Sequence, residues 1–453
     1  MFRCLLYRSF RQIYSISNWA RNRFTPMGGL LFGGMIGSGI FSVDTRQSLS
    51  FQIFAFISAL LLLALLNMFT FRGKFRVKRV LPEYATVRQP VKYKVIVENL
   101  EQRPQPELLL YDDLQTSLPG FQEFISANDP GDSSRNWFDR IVGYPRMINL
   151  IQKKRGASIE PAEIGDLPGQ EKNEVVMELI PRRRGYIHFT RTRIARPDPL
   201  GLMRAIKFCN CADDLLILPK TYTLPPVQLY GKRKYQHGGM NQASTVGDAQ
   251  EFMSLRDYKP GDPLRAIHWR SFAKSGHPVV KEYQDEFFVR QGLLLDTFIE
   301  DKANEVFEEA VALAASFVVS EKPQDALLDL MFVGTESYRF TSGRGLNQME
   351  NMLEILACVE PCYQPAFNTL VELILQHARV TSGIICILLD WDKKRQDLMQ
   401  KLISQDIPVL VLLLTNQTDL PAMNTAVLGI YADNFHVLHI DDIQARLDRL
   451  NRL

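Results

Sequence analysis

Two uncharged apolar runs open the chain. From Thr25 to Val43 it reads TPMGGLLFGGMIGSGIFSV, and from Leu49 to Phe69 it reads LSFQIFAFISALLLLALLNMF. Each is close to the ~20 apolar residues that carry a helix across a bilayer core. Two spans are therefore predicted over residues 25–71, joined only by Asp44-Thr-Arg-Gln-Ser48 and returning as a hairpin. The glycines of the first run, Gly28, Gly29, Gly33, Gly34, Gly37 and Gly39, either let the two backbones approach closely or are merely tolerated in such a helix.

Beyond Phe71 the apolar period becomes two. Phe75–Val80, Val91–Val97, Glu174–Ile180 and Leu215–Leu218 alternate or run short between Pro and polar turns, the pattern of antiparallel strands with one wet face. They predict a β-sandwich over residues 72–225, interrupted at about 117–170 by a segment too long for a hairpin loop. Within the interruption, Arg135–Arg155 mixes Trp137, Ile141, Met147 and Ile151 with Arg140, Arg146 and Lys154. This predicts an amphipathic helix kinked at Pro145 and packed on the sandwich, with the lipid surface as the alternative berth.

From about Val289 apolar runs alternate with helical stretches. Val289–Asp296, Gly383–Asp390 and Ile407–Leu414 read as buried strands, and Asn304–Ser320, Leu346–Cys358, Thr369–His377 and Asp392–Gln405 as helices. Such alternation predicts a mainly parallel sheet covered on both faces, with sites beyond the strand C-terminal ends, where Asp296 and Asp390 fall. The fold class expected is multidomain α+β: a basic tail (1–24), a transmembrane hairpin (25–71), a sandwich (72–225), an intervening segment (226–288) and an α/β domain (289–453).

Charge sets the orientation. Residues 1–80 carry eleven Arg and Lys against Asp44, an excess of ten, and the whole chain totals +3, which leaves the remainder at net −7. Basic residues before the first run and after the second keep both flanks inside, so both termini are expected in the cytoplasm. A body of negative net charge is a poor binder of nucleic-acid backbone. The six cysteines are scattered rather than paired as a disulfide framework or zinc site; Cys209 and Cys211, and Cys358 and Cys362, have no second pair at the needed spacing.

The densest stretch is Glu251-Phe-Met-Ser-Leu-Arg-Asp-Tyr-Lys-Pro-Gly-Asp262 followed by Pro-Leu-Arg-Ala-Ile-His-Trp-Arg-Ser-Phe-Ala-Lys274. Pro260-Gly261 is a turn signal, and Asp262 before Pro263 predicts a helix start, with a short helix carrying Arg265, Ile267, His268 and Trp269. Glu251, Arg256, Asp257, Tyr258, Gly261, Asp262, Arg265, His268, Trp269 and Lys274 together resemble the defining motif of the bacterial domain-of-unknown-function-58 family, as do Pro181–Gly185, Asp198–Leu202 and Leu218-Pro219 upstream.

That resemblance implies a protein of the bacterial cytoplasmic membrane with a C-terminal von Willebrand A-like, Rossmann-like domain. It also implies a MoxR-type AAA+ ATPase as partner. A metal site of that domain uses Asp-x-Ser-x-Ser after the first strand, with a Thr and an Asp from later loops. Here Phe298 and Glu300 replace the serines, with Thr369 and Asp390 as counterparts of the later ligands. A degenerate, metal-free loop is expected; Mg²⁺ held by Asp296, Glu300 and Asp390 in another geometry is the alternative.

The function expected is a non-enzymatic adaptor, with Arg256, Asp257, Asp262 and Arg265 as ion pairs locking the two domains. A hydrolase using His268 with Asp257 or Asp262, and a lipid- or nucleic-acid-binding protein, are the alternatives; no GxSxG, HExxH or P-loop motif occurs.

Overall fold

The computed structural model describes residues 2–41, 48–126, 136–137, 143–225, 251–262, 264, 267–284, 289–299, 304–320, 326–334, 337–342, 346–362, 367–377, 381–417 and 425–450. The architecture is mixed α+β, and the chain divides into two compact units, Met1–Lys220 and Thr221–Leu453.

The first unit begins with three helices, α1 (Phe2–Arg23), α2 (Pro26–Phe41) and α3 (Ser48–Met68). Leu49–Met68 is long and apolar enough to cross a membrane, while α2 is a shorter apolar helix of 16 residues. The glycines of α2 do not share one role. A Cβ on Gly39 would come 3.2 Å from the Phe54 ring of α3 and one on Gly34 3.8 Å from Ile57, whereas Gly29, Gly33 and Gly37 face open space. Gly28 is different again, because its neighbour is the carbonyl of Leu202.

Two sheets follow. One joins β1 (Phe75–Val80), β3 (Val91–Asn99), β5 (Ala157–Ile159) and β7 (Lys172–Pro181) in the order β1-β3-β7-β5. The other joins β2 (Tyr84–Thr86), β4 (Gln105–Leu114), β6 (Ala162–Leu167), β8 (Gly185–Pro197) and β9 (Arg204–Leu218) in the order β2-β9-β8-β4-β6. Both contribute to one core that includes Val95, Met177, Leu179, Leu110, Phe189 and Ile217. In β7 the period of two puts Val175, Met177 and Leu179 inward and Glu174 and Glu178 outward, as a half-buried strand requires.

The same core holds a charge. Arg79 Nε and Nη2 donate to the Asp112 carboxylate at 3.0 and 2.7 Å, Nη1 donates to Asp213 at 2.6 Å, and the Tyr93 and Thr192 hydroxyls donate to Asp112 as well. The set is tolerated inside because its lone pairs and N–H groups are matched among themselves.

The interruption at 117–170 is shorter than its sequence suggests, because β5 and β6 lie within it and belong to the sheets. Helices described within it include α4 (Phe121–Ser126) and α5 (Tyr144–Arg155). Pro145 stands in the first turn of α5, where its missing N–H costs nothing, rather than as a kink. Nor does α5 pack mainly on the sheets. Met147 and Ile151 meet Phe10 of α1 and Phe124 of α4, with Leu6, Tyr7 and Tyr14 against them. The basic tail is thus a helix whose i, i+1, i+4, i+8 residues make an apolar face. Of the expected amphipathic segment, Arg135 and residues 138–142 lie outside the described residues.

In the second unit, β12 (Val289–Leu295), β13 (Ala326–Val333), β14 (Ser337–Ser342), β15 (Gly383–Leu388), β16 (Val409–Thr415) and β17 (Phe435–His439) form a sheet in the order β14-β13-β12-β15-β16-β17. All neighbours run parallel except β13 and β14. Every residue of β15 is buried, which fits a sheet with both faces covered. The helices are α7 (Asn304–Ser320), α8 (Leu346–Cys358), α9 (Asn368–His377), α10 (Lys393–Ser404) and α11 (Ile443–Arg449), after a short α6 (Trp269–Ser275). The strand order reverses between β12 and β15, and the crevice at such a switch point is where open α/β sheets place their sites.

Candidate functional site

Asp296 follows β12 and Asp390 follows β15, so the two flank the switch point. Asp296 is fully buried. Its Oδ1 accepts from Phe298 N at 3.1 Å and its Oδ2 from Leu389 N at 3.2 Å, so neighbouring backbone turns its carboxylate inward. The third partner is Arg395 Nε, at 2.6 Å from Oδ2.

Arg395 gets there through its helix. Asp392 caps α10, accepting from Arg395 N at 2.9 Å, and the first turn then points the guanidinium back over the strand ends. Its Nη2 donates to Phe298 O at 3.2 Å, its Nη1 lies 3.2 Å from Asp392 Oδ2, and its plane sits 5.1 Å from the Phe367 ring centroid. Burial pushes the Asp296 carboxyl above its ordinary range, while the Arg395 charge and the two N–H groups pull it back.

The residues present do not fit a divalent cation. The lone pairs of Asp296 that would face a metal are engaged by a guanidinium and two backbone N–H groups. Asp390 accepts from Trp391 N at 2.7 Å, and Phe298 packs its ring on Phe367. Thr369 sits in α9, and Glu300 lies outside the described residues. Among the described residues no group of three or more His, Cys, Asp or Glu side chains is gathered for a metal. Sequence reasoning missed Arg395; the one signal available was an Arg in the first turn after a capping Asp.

The burial of Asp296 corrects a further expectation. From the sequence, Asp296, Glu300, Asp390 and Asp392 are expected to form an acidic edge if no metal neutralises them. Instead Asp296 is inside and Asp392 is paired, and the surface there is a mixed one of Asp390, Lys393 and Lys394.

The intervening segment forms a two-stranded antiparallel ribbon, β10 (Glu251–Asp257) against β11 (Val279–Gln284). Arg256 reaches across the turn and grips Asp262 with both Nη atoms, at 2.6 and 2.8 Å, and Lys259 N donates to the same carboxylate at 2.9 Å. Gly261 at φ +110° lets the chain make that turn. The Arg256 hydrogen bond, with the Lys259 N–H, holds the Asp262 carboxyl down to about 2.

Leu264, two residues after Asp262, is in a 3-10 turn, and residues 263, 265 and 266 lie outside the described residues. The α-helix α6 starts further on, at Trp269 with His268 at its cap, while the Asp262 side chain is held by Arg256. Ile267 bridges to Val280 and is buried. His268 Nδ1 meets Ser271 Oγ at 2.6 Å, and its backbone N donates to Val279 O. Asp257 stands with His277, 3.3 Å from Nε2. The structure does not pair His268 with Asp257 or Asp262, as the hydrolase alternative requires. Tyr258 N donates to Pro278 O, while Trp269 is exposed and edge-on to Phe272, and Lys274 is exposed. Glu251 pairs in register with Gln284; Arg265 lies outside the described residues.

The chain resembles the uncharacterized protein YeaD of Bacillus subtilis (strain 168), at 29% identity over 40% of this chain and 44% of that one, so the match spans less than half of the relative's length. Among solved structures it is similar to the manganese-loaded Plasmodium vivax TRAP protein (11% identity, 35% of this chain, 72% of that one, TM-score 0.26). It is also similar to proximal thread matrix protein 1 from the mussel byssus (12% identity, 36% and 47%, TM-score 0.28). Residues 254–425, from within β10 to beyond β16, match the model of the family described as protein of unknown function DUF58.

Proposed function

We propose that this chain is a non-enzymatic adaptor of the bacterial inner membrane that works with a MoxR-type AAA+ ATPase in protein assembly or an envelope-related process. The observation that carries the reading is the Arg395–Asp296 pair. At the switch point of the sheet, where a ligand or cation would bind, the protein puts its own guanidinium, and what it leaves outside are loops suited to contact another protein. The remaining candidates for chemistry are also engaged in holding local structure: Asp262 by Arg256, Asp257 by His277, His268 by Ser271. In this reading the domain is von Willebrand A-like but metal-free.

The anchor is the hairpin α2–α3, and the two sheets after it are a β-sandwich spacer. Support for a return crossing comes from α1. Tyr7 Oη donates to Pro119 O at 2.8 Å and Phe10 packs on Phe124, so α1 and the body share one side of the bilayer. The basic flanks assign that side to the cytoplasm. The partner's name comes from the family resemblance, and the docking surface is the switch-point edge around Asp390, Lys393 and Lys394.

The test is a pull-down of the cognate ATPase by the detergent-solubilised chain, comparing wild type with Lys393→Glu/Lys394→Glu and with a chain lacking residues 289–453, each with Mg²⁺ and with a chelator. The charge reversal should weaken capture and the deletion abolish it, with no effect of chelation. Capture that survives the deletion places docking elsewhere, and capture abolished by chelation alone refutes the metal-free reading.

A further inference from the structure

The loop between β8 and β9, Asp198-Pro-Leu-Gly-Leu-Met203, takes no part in the function just proposed, yet it is built with unusual care. The Asp198 carboxylate is buried and accepts three backbone N–H groups, from Leu200 at 3.1 Å, Leu202 at 2.7 Å and Met203 at 2.6 Å. Asp198 N donates to Met203 O and Gly201 N to Asp198 O. Gly201 sits at φ +67° to close the turn. The result is a tight turn that satisfies much of its own backbone polarity, the condition for irregular chain to enter an apolar medium.

Its contacts point the same way. Thr25 N donates to Leu202 O at 3.0 Å and Thr25 Oγ1 to Gly201 O at 2.6 Å. A Cβ on Gly28 would fall 1.9 Å from Leu202 O, so that glycine exists for the loop's close approach. Leu202 and Met203 form a buried cluster with Ala64 of α3, which is only 1% exposed, and Phe24, Leu31 and Met68 pack against it. Gly28 and Ala64 are about one helical turn, roughly 6 Å, in from the ends of the apolar runs that face the body. Around the loop stand Trp19, which is exposed and stacks edge-on to Phe24, and Arg196, bonded to Thr70; an aromatic and basic collar is what a headgroup layer receives. At the tip, Leu200 is 50% exposed with no charged residue in the loop besides the satisfied Asp198.

We infer that Asp198–Met203 is a membrane-dipping wedge: Leu202 and Met203 lock between α2 and α3 below the headgroups, and Leu200 contacts lipid acyl chains of the cytoplasmic leaflet. The wedge rests on the reading of α2 and α3 as spans. It makes the first sheet unit a part of the bilayer surface, held at a fixed height, rather than a body swinging on a tether.

The experiment places a fluorescent non-natural side chain at Leu200, at Phe56 on the exposed face of α3, or at Tyr186 on the exposed face of β8, in the full chain reconstituted into nanodiscs, and quenches it with brominated phosphatidylcholine. Loss of intensity at positions 200 and 56 but not at 186 is expected. Quenching at 56 without quenching at 200 overturns the wedge and leaves the spans standing. No quenching at 56 removes the spans and the wedge with them. Quenching at 186 as strong as at 200 means that the body lies on lipid generally, which overturns a loop-specific contact.

Discussion

Arg395 carries one guanidinium between two carboxylates, Asp296 at 2.6 Å and Asp392 at 3.2 Å. Removing it leaves Asp296 a buried charge without its partner, and breaking a buried pair in this way costs roughly 3–5 kcal/mol. Arg395→Met should lower the stability of the chain by that order in chemical denaturation. Adding Asp296→Leu should restore part of the loss, because the residual cost is the orphaned carboxylate rather than the missing cation. Strictly additive losses would show that the two side chains do not act as a unit. Asp262 differs, being partly exposed and held by Arg256 near the surface. Its carboxyl titrates near 2, below its ordinary 3.8. A depressed carboxylate stabilises the fold above the unfolded value and stops doing so as pH falls through the folded one. The stability gap between wild type and Arg256→Ala should therefore be level from neutral pH down to about 5 and close between about 4 and 2; a gap that persists at pH 2 would assign the role of Arg256 to packing.

At the scale of elements, the glycines of α2 separate by what they face. Gly28→Val must push the Leu202 backbone away, whereas Gly33→Val enters open space. The first should lower the yield of folded protein and expose the 198–203 loop to protease, while the second should be silent in both assays; equal behaviour would refute the close contact. The same contrast explains what was legible in advance. Helices Asn304–Ser320 and Leu346–Cys358 end where their apolar period ends, and β12, β15 and β16 follow their apolar runs to within a few residues, because period and burial are written locally. The partners of α5 were not legible, since Met147 meets Phe10 across most of the first unit's sequence. Nor was the start of α6 at Trp269, where His268 holds the cap position without a capping side chain. Arg395 was hidden for the same kind of reason. Its role depends on how α10 lands over Asp296, 99 residues before it, and no local pattern encodes that.

At the scale of the whole chain, the decisive constraint is a count of crossings. Leu49–Met68 is long and apolar enough to span, and α2, at 16 residues, has a length of about 24 Å by the helical rise. Taken alone, these lengths favour one crossing, which would put α1 and the body on opposite sides of ~30 Å of hydrocarbon. Yet α1 is in contact with the body along its length, through Tyr7 on Pro119, Phe10 on Phe124 and Tyr144, and Phe24 bridged to Met203. An odd number of crossings forbids those contacts, so if α3 spans, α2 must span too, met by a local thinning of the bilayer. In the proposed topology both ends of the chain share a side, which the Arg and Lys around Arg21 and Lys74 assign to the cytoplasm. Reporter fusions after Leu453 and before Met1 should both be active only in the cytoplasm, and a cysteine introduced at Gln47 should react with an impermeant thiol reagent from the periplasmic side. Reporters on opposite sides would mean a single crossing and would dissolve the packing of α1 on α4 and α5. Both reporters cytoplasmic with Gln47 protected would mean that neither helix crosses, leaving the apolar faces of α2 and α3 to be buried by another protein.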